Sequence, residues 1–168
     1  MNINKYIKEI YLLRNLKRYN NSFHIKDESV MEHTGFVAAI ILGLHLKYKF
    51  ILENALVMAL VHDFPEAWDI TDIAHNVKQA HPKIAKEIKI AEYQEFSKRL
   101  PQYYKYFDNF EEGNSVEALI VLLADVLSCV QYSDSEITLG NMGYMKKVFN
   151  ESKVRQKQLE KKLKRYLR

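Results

Sequence analysis

The sequence predicts an all-α fold, and three features carry that prediction. Gly and Pro are scarce, five and three in 168 residues, so long helices can run without breaks. Apolar residues recur at helical spacing, and strand-like alternation is hard to find. At 48% apolar, a chain of this length can bury one sizeable core. One domain over residues 1–168 is therefore expected, closing on a basic helix at 146–168.

The elements follow in order. Asn4 to Arg18 reads as a first helix, with Ile7, Ile10, Tyr11, Leu13 and Arg14 roughly in helical register. Asn20-Asn21-Ser22 breaks it and opens a loop through Asp27. Glu28 to Tyr48 is a second long helix. Ile51 to Asp63 is a third, nearly all apolar, and it ends at Phe64-Pro65 because proline cannot continue a helical ladder. Glu66 to Ala80 reads as a short helix and loop, and Pro82 starts a helix to Leu100. The aromatic stretch Tyr103-Tyr104-Lys105-Tyr106-Phe107 reads as core packing under a loop. After a turn at Glu111 to Asn114, Ser115 is a plausible N-cap for an apolar helix from Val116 to Tyr132. Gly140 and Gly143 mark the connection to the basic final helix.

Composition excludes several classes of protein. One Cys, Cys129, forms no internal disulfide and leaves no paired thiolates for zinc; in its apolar run it is a small buried side chain. The N-terminal stretch has no apolar signal region, and the apolar runs are interrupted by His or Asp within about a dozen residues, short of a membrane span. The expectation is a cytoplasmic protein without a membrane partner. The net charge of +4 is uneven: Lys146 to Arg168 holds ten basic and two acidic residues, a net of +8, so the other 145 residues carry −4. Such a tail suits nucleic acid, but no nucleic-acid motif accompanies it. The favoured reading is a solvated helix whose Val148, Phe149, Val154, Leu159, Leu163 and Leu167 form an apolar face.

Against this background four residues stand out: His33, the pair His62-Asp63, and Asp125. Asp125 interrupts an apolar run from Ala118 to Leu127, where a carboxylate is expensive unless paired or metal-bound. The rival, a buried salt bridge to Arg, has few partners to draw on, with six Arg in the chain and several of them in the tail. His62-Asp63 ends a similarly apolar segment. His24, His45, His75 and His81 read as ordinary surface or core histidines. Two imidazoles and two carboxylates form a complete ligand set for one divalent cation. Mn, Fe, Co, Ni or Zn suit such mixed N/O donors better than Ca, without excluding Mg. With positions left open for water and a phosphoryl oxygen, that set fits phosphate-ester hydrolysis. Glu66, one turn past His62-Asp63, is placed to take or orient a proton; read alone, it is an ordinary acid at a helix start.

The ordered pattern Arg18 … Glu28-Ser-Val-Met-Glu32-His33 … His62-Asp63-Phe-Pro-Glu66 … Thr71-Asp72-Ile73 … Lys78 … Asp125, with a Leu139-Gly-Asn141 turn, resembles the HD-domain phosphohydrolases. It is most similar to the short branch holding bacterial YfbR-type 5′-deoxynucleotidases and phage dATP triphosphohydrolases. The resemblance implies a helical HD-domain bundle in which His33, His62, Asp63 and Asp125 ligate one divalent transition metal. It implies Glu66 as the acid beside the metal site, and Asp72 as a second acid that protonates the leaving 5′ oxygen or holds the sugar. Arg18 and Lys78 then hold phosphate, with further Mg on the substrate phosphates. Asp69 is a rival for Asp72: five residues stand between Glu66 and Asp72 where the branch usually has four, and Thr71 stands where it has Gly. Tyr19 follows Arg18 where the branch often has Trp, and its ring suits stacking on a base or sugar.

Both activities of the branch cleave between the 5′ oxygen and the α-phosphorus. The short chain and its Lys-, Asn- and Ile-rich composition lean toward a phage-like dATP triphosphohydrolase, acting in the host cytoplasm if phage-encoded. A 5′-deoxynucleotidase acting on dNMPs is the alternative. A non-catalytic helical module binding nucleic acid is the rival from a different class. Alarmone hydrolysis is disfavoured because Ala67, not an acid, follows Glu66. The resemblance also implies a homo-oligomer, a dimer or a hexamer.

Overall fold

The structure is a computed structural model that describes residues 2–68 and 75–167. As the sequence predicts, it is all-α, with no strand among the described residues. The α-helices are α1 (Ile3–Tyr11), α2 (Val30–His45), α3 (Leu52–Val61), α4 (His75–Ala80), α5 (Pro82–Arg99), α6 (Tyr104–Glu112), α7 (Val116–Thr138) and α8 (Tyr144–Tyr166).

Two apolar cores organise them. One gathers Val37 and Ile41 of α2, Met58 and Ala59 of α3, Leu119 to Ala124 of α7 and Leu163 of α8. The other joins Leu13, Val61, Phe64 and Trp68 to Phe96, Leu100 and Phe107. Phe96 and Phe107 stack with ring centroids 4.4 Å apart. Helix ends obey local chemistry. Ser29 caps α2 through a capping box with Glu32. Ser115 Oγ accepts the Ala118 N–H at 3.1 Å to start α7. Gly113 ends α6 at φ 61°, a left-handed conformation that favours glycine.

Several elements depart from the sequence expectation. Helix α1 stops at Tyr11 and passes through a 3-10 turn at Leu12–Arg14, so Arg18 is not helical. Instead, Leu16 to Arg18 pairs antiparallel with Glu28 to Val30, through Arg18 N–H to Glu28 O and Val30 N–H to Leu16 O, both 2.9 Å. The aromatic stretch continues into helix α6 rather than a loop, because Phe107 and Phe110 turn inward at helical spacing. Helix α7 runs past Tyr132 to Thr138 and, by length and composition, is apolar enough to cross a bilayer, with a mean hydropathy of 1.6. That corrects the expectation of short apolar runs: Asp125 interrupts the composition without ending the helix. Half of the apolar window is buried in the protein, in contact with α2, α3, α6 and α8, as befits a core helix. Helix α8 lies along α7 with Leu163 buried and Leu159 against the core, while Val154 and Leu167 stay exposed.

A buried carboxylate closes the fold near the N-terminal loop. Glu136 of α7 accepts N–H bonds from Ile25 (2.7 Å) and Lys26 (2.8 Å), and the Asn141 side-chain amide at 2.8 Å. The Asn141 amide also donates to Phe23 O at 3.0 Å, giving the Leu139-Gly-Asn141 turn a structural task. Burial pushes the Glu136 carboxyl up, but these three donors outweigh it and hold it below the usual range. Its contribution is full above the unfolded-state value of about 4.3 and is lost as pH falls through the lowered native value. Glu136→Ala is therefore expected to cost about 2–4 kcal/mol, read from urea midpoints at pH 7. Glu136→Gln should flatten the acid side of the stability profile.

Candidate metal centre

The site forms where α3 breaks. Pro65 has no N–H to offer the Val61 carbonyl, and its ring would collide with that carbonyl in a continued helix. The helix ends at Val61, and a 3-10 turn, Phe64–Ala67, follows. His62 and Asp63 thus lie just past the helix, not inside it as the sequence suggested. Asp63 takes φ −103° and ψ 9°, a sparsely populated backbone region common at active sites. The break leaves helix-end carbonyls without partners, and His62 Nδ1–H donates to one of them, Ala59 O, at 2.6 Å.

That bond puts a proton on Nδ1 and makes Nε2 the nitrogen that carries either a second proton or, in the neutral ring, a lone pair. His62 Nε2 is buried and makes no hydrogen bond, although Asp63 Oδ2 is 3.1 Å away. A buried imidazole lone pair facing a carboxylate is the donor arrangement a cation would satisfy. His33, on the second turn of α2, brings its Nε2 to 3.7 Å from Asp63 Oδ2 and 3.2 Å from Asp125 Oδ1. The His33 and His62 rings lie 5.6 Å apart. One ligand atom each from His33, His62 and Asp63 fall within 4.8 Å of one another, a cluster able to hold a metal ion. Asp125 joins from α7 through His33. Three of the four expected ligands thus share one cluster, and Asp125 touches it through His33 without belonging to that mutual group.

The electrostatics of the cluster are those of unlike charges held close. Burial opposes ionisation of Asp63, but His62 beside it and His33 behind it hold its carboxyl low. Burial acts likewise on Asp125, and the hydrogen bond from His33, with both rings and Arg18, pulls it far lower. His62 is pushed down by burial and raised more by Asp63. His33 is lowered by burial and by the neighbouring Arg18.

The supporting shell comes largely from one face of α7. Ser128 and Cys129 follow Asp125 at i+3 and i+4, and Tyr132 at i+7. Ser128 Oγ lies 3.1 Å from His33 Nδ1 and fixes the orientation of the ring. Arg18 also contacts His33 Nδ1, places its guanidinium 2.9 Å from Glu28 Oε2, and lies 3.5 Å from Cys129 Sγ. Tyr19 adopts φ 58°, the one positive value among the described non-glycine residues. Its ring stacks on Tyr132 at 4.7 Å and 2°, so one face is already covered.

Glu66 lies on the 3-10 turn, half-buried, with its N–H bonded to Asp63 O at 3.1 Å. Lys78, on α4, faces Glu92 of α5 at 3.9 Å. Asp72 and its rival Asp69 lie outside the described residues, as does Thr71. Sequence reading missed Ser128 and Tyr132, although their spacing from Asp125 was the available signal. It also missed Glu92, which carries no local signal.

A helical bundle with an adjacent His-Asp pair, a second imidazole from another helix and a carboxylate from a third has the residue set that the sequence resemblance to the HD-domain phosphohydrolases implies. A model of the YfbR-like 5′-deoxynucleotidases matches residues 5–166, and the chain belongs to that family. Among solved structures, a protein of Pyrococcus horikoshii is 31% identical, with a TM-score of 0.79 over 96% of this chain and 93% of that one. A conserved hypothetical protein of Pyrococcus furiosus is 24% identical, with a TM-score of 0.75 over 96% and 99%. An HD-domain phosphohydrolase of Listeria innocua shares the fold at 19% identity, with a TM-score of 0.71 over 90% and 78%. No curated protein matched the chain.

Metal binding to this cluster should appear as stabilisation, because a cation that binds only the folded state raises the melting temperature. Saturating Mn or Co is expected to raise the Tm of the wild-type chain, and His62→Ala or Asp63→Ala should abolish the rise. An undiminished rise in both variants would place the ion elsewhere.

Proposed function

We propose that the chain hydrolyses 5′-deoxynucleotides at the α-phosphorus, with deoxynucleoside monophosphates as its substrates. The supporting observation is the cluster of His33, His62 and Asp63, with Asp125 against His33 and the Arg18 guanidinium behind that ring. His33, His62, Asp63 and Asp125 hold one divalent cation, drawn from Co, Mn, Zn, Fe and Ni. A cation there supplies an acidified water and a Lewis acid for the phosphoryl group.

The chain's own residues do the rest. Glu66 receives the proton of the attacking water as the new bond to phosphorus forms. The bond from phosphorus to the 5′ oxygen breaks, and Asp72, entering the cycle as the carboxylic acid, gives its proton to that oxygen; deoxynucleoside and phosphate leave, and Asp72 regains a proton from solvent as Glu66 loses one. Arg18 and Lys78 hold the phosphoryl oxygens, whose charge they offset in the transition state. Tyr19 borders the sugar or base, its ring braced by Tyr132 and by the Arg18 guanidinium 5.3 Å from its centroid.

Charge separates the monophosphate from the dATP triphosphohydrolase reading to which the sequence leaned. A triphosphate carries roughly twice the negative charge of a monophosphate and needs cations to match. The two cations assigned to substrate each face a glutamate, Arg18 at Glu28 (2.9 Å) and Lys78 at Glu92 (3.9 Å). The positive charge left over suits one phosphate better than three. The rival nucleic-acid module receives little support from a basic helix that lies along α7. A homo-oligomer and a cytoplasmic location remain part of the proposal.

The test is a panel of deoxy- and ribonucleotide mono-, di- and triphosphates with several divalent ions, read by product identity. Release of phosphate from dNMPs is expected; release of triphosphate from dATP would move the assignment to the other activity of the branch. Glu66→Gln is expected to fold and bind metal while losing about 10²–10⁴-fold in turnover, and normal turnover would remove it from the mechanism.

A further inference from the structure

Glu92 lies in the middle of α5, and its side chain is only 15% exposed. A carboxylate so placed needs a reason. The charged groups around it come from four elements: Lys78 on α4, Asp63 after α3, Glu111 on α6 and Lys89 one turn back on α5. Lys89 is already committed to Glu111, with Nζ 2.9 Å from Oε2. Lys78 is the cation left to Glu92, at 3.9 Å. Burial raises the Glu92 carboxyl, Lys78 opposes that, and Asp63 is close enough to add repulsion. Helix α5 packs against the 3-10 turn Phe64–Ala67 that directly follows Asp63, so the helix carrying Glu92 borders that end of the cluster.

We propose that Glu92 is a positioning residue that holds the Lys78 ammonium at the rim of the site before an anionic substrate arrives. The proposal rests on the hydrolase reading above. Lysine has a flexible four-carbon stem, and fixing it costs rotamer entropy. Three of its donors are available, so one directed to Glu92 leaves others for a phosphoryl oxygen. Glu92 orders the stem in advance, and less of that ordering is left for substrate binding. No change of protonation is required.

The sign of one substitution decides between this role and that of a bystander. A bystander carboxylate repels an anionic substrate, so removing its charge tightens binding. A positioning carboxylate does the opposite. Metal-loaded full-length protein is assayed with dAMP for kcat and KM, and titrated calorimetrically with inorganic phosphate. Glu92→Gln is expected to raise KM and the phosphate Kd about three- to tenfold, with kcat within about twofold. Lys78→Ala should raise both at least as far, and the double variant should be no worse than Lys78→Ala alone. Glu92→Asp should recover part of the loss. Tighter binding in Glu92→Gln, effects that multiply in the double variant, or phosphate binding indifferent to Lys78 would each overturn the proposal. If dAMP is not turned over, the reading of the site fails, and the phosphate titration still decides the role of Glu92.

Discussion

One hydrogen bond orders the rest of the site: His62 Nδ1–H to the Ala59 carbonyl. It exists because Pro65 stops α3 at Val61 and strands carbonyls that need donors. The side chain that answers is thereby locked in tautomer and direction, with its second nitrogen presented to Asp63 and His33. The element that ends the helix also aims the ligand. A helix continuing through residue 65 would satisfy Ala59 from its own backbone and leave the imidazole free to rotate.

Around that fixed ring the charges are arranged in opposition. Asp63 and Asp125 flank His33, Arg18 lies behind it, and Glu28 faces Arg18. Each buried charge thus has a partner of the other sign, which is the condition for keeping charges out of water. The same pairing limits what the site can attract. Cations already answered by glutamates add orientation to a phosphate group more than they add net attraction.

The helices and the clustered His and Asp residues were legible in the sequence for the same reason: both are local in composition. An acid inside Ala118 to Leu127 and a His-Asp pair before Phe-Pro violate the apolar pattern around them, and violations of pattern mark function. The boundaries were less legible. Nothing in the order of residues 12–18 shows that Leu16 to Arg18 pairs with Glu28 to Val30 instead of extending α1, because the loop that brings them together is held at Ile25 and Lys26 by Glu136, more than a hundred positions away. The aromatic stretch before Asp108 concealed a helix, since tyrosine and phenylalanine are indifferent helix formers until packing decides. Glu92 was invisible for the same kind of reason: a glutamate among lysines on α5 looks like solvated surface until α4 folds against it.

The metal cluster lies on the seam between the two apolar cores. Ala59 belongs to one and Val61 to the other, with His62 edge-on to Phe110 of the first. Cooperative units of a protein open against one another along such boundaries at lower free energy than global unfolding. An ion held by this cluster would therefore be a rivet across a natural parting line. Its exchange with solvent would follow the slackness of that joint, with the two greasy halves intact while it happens.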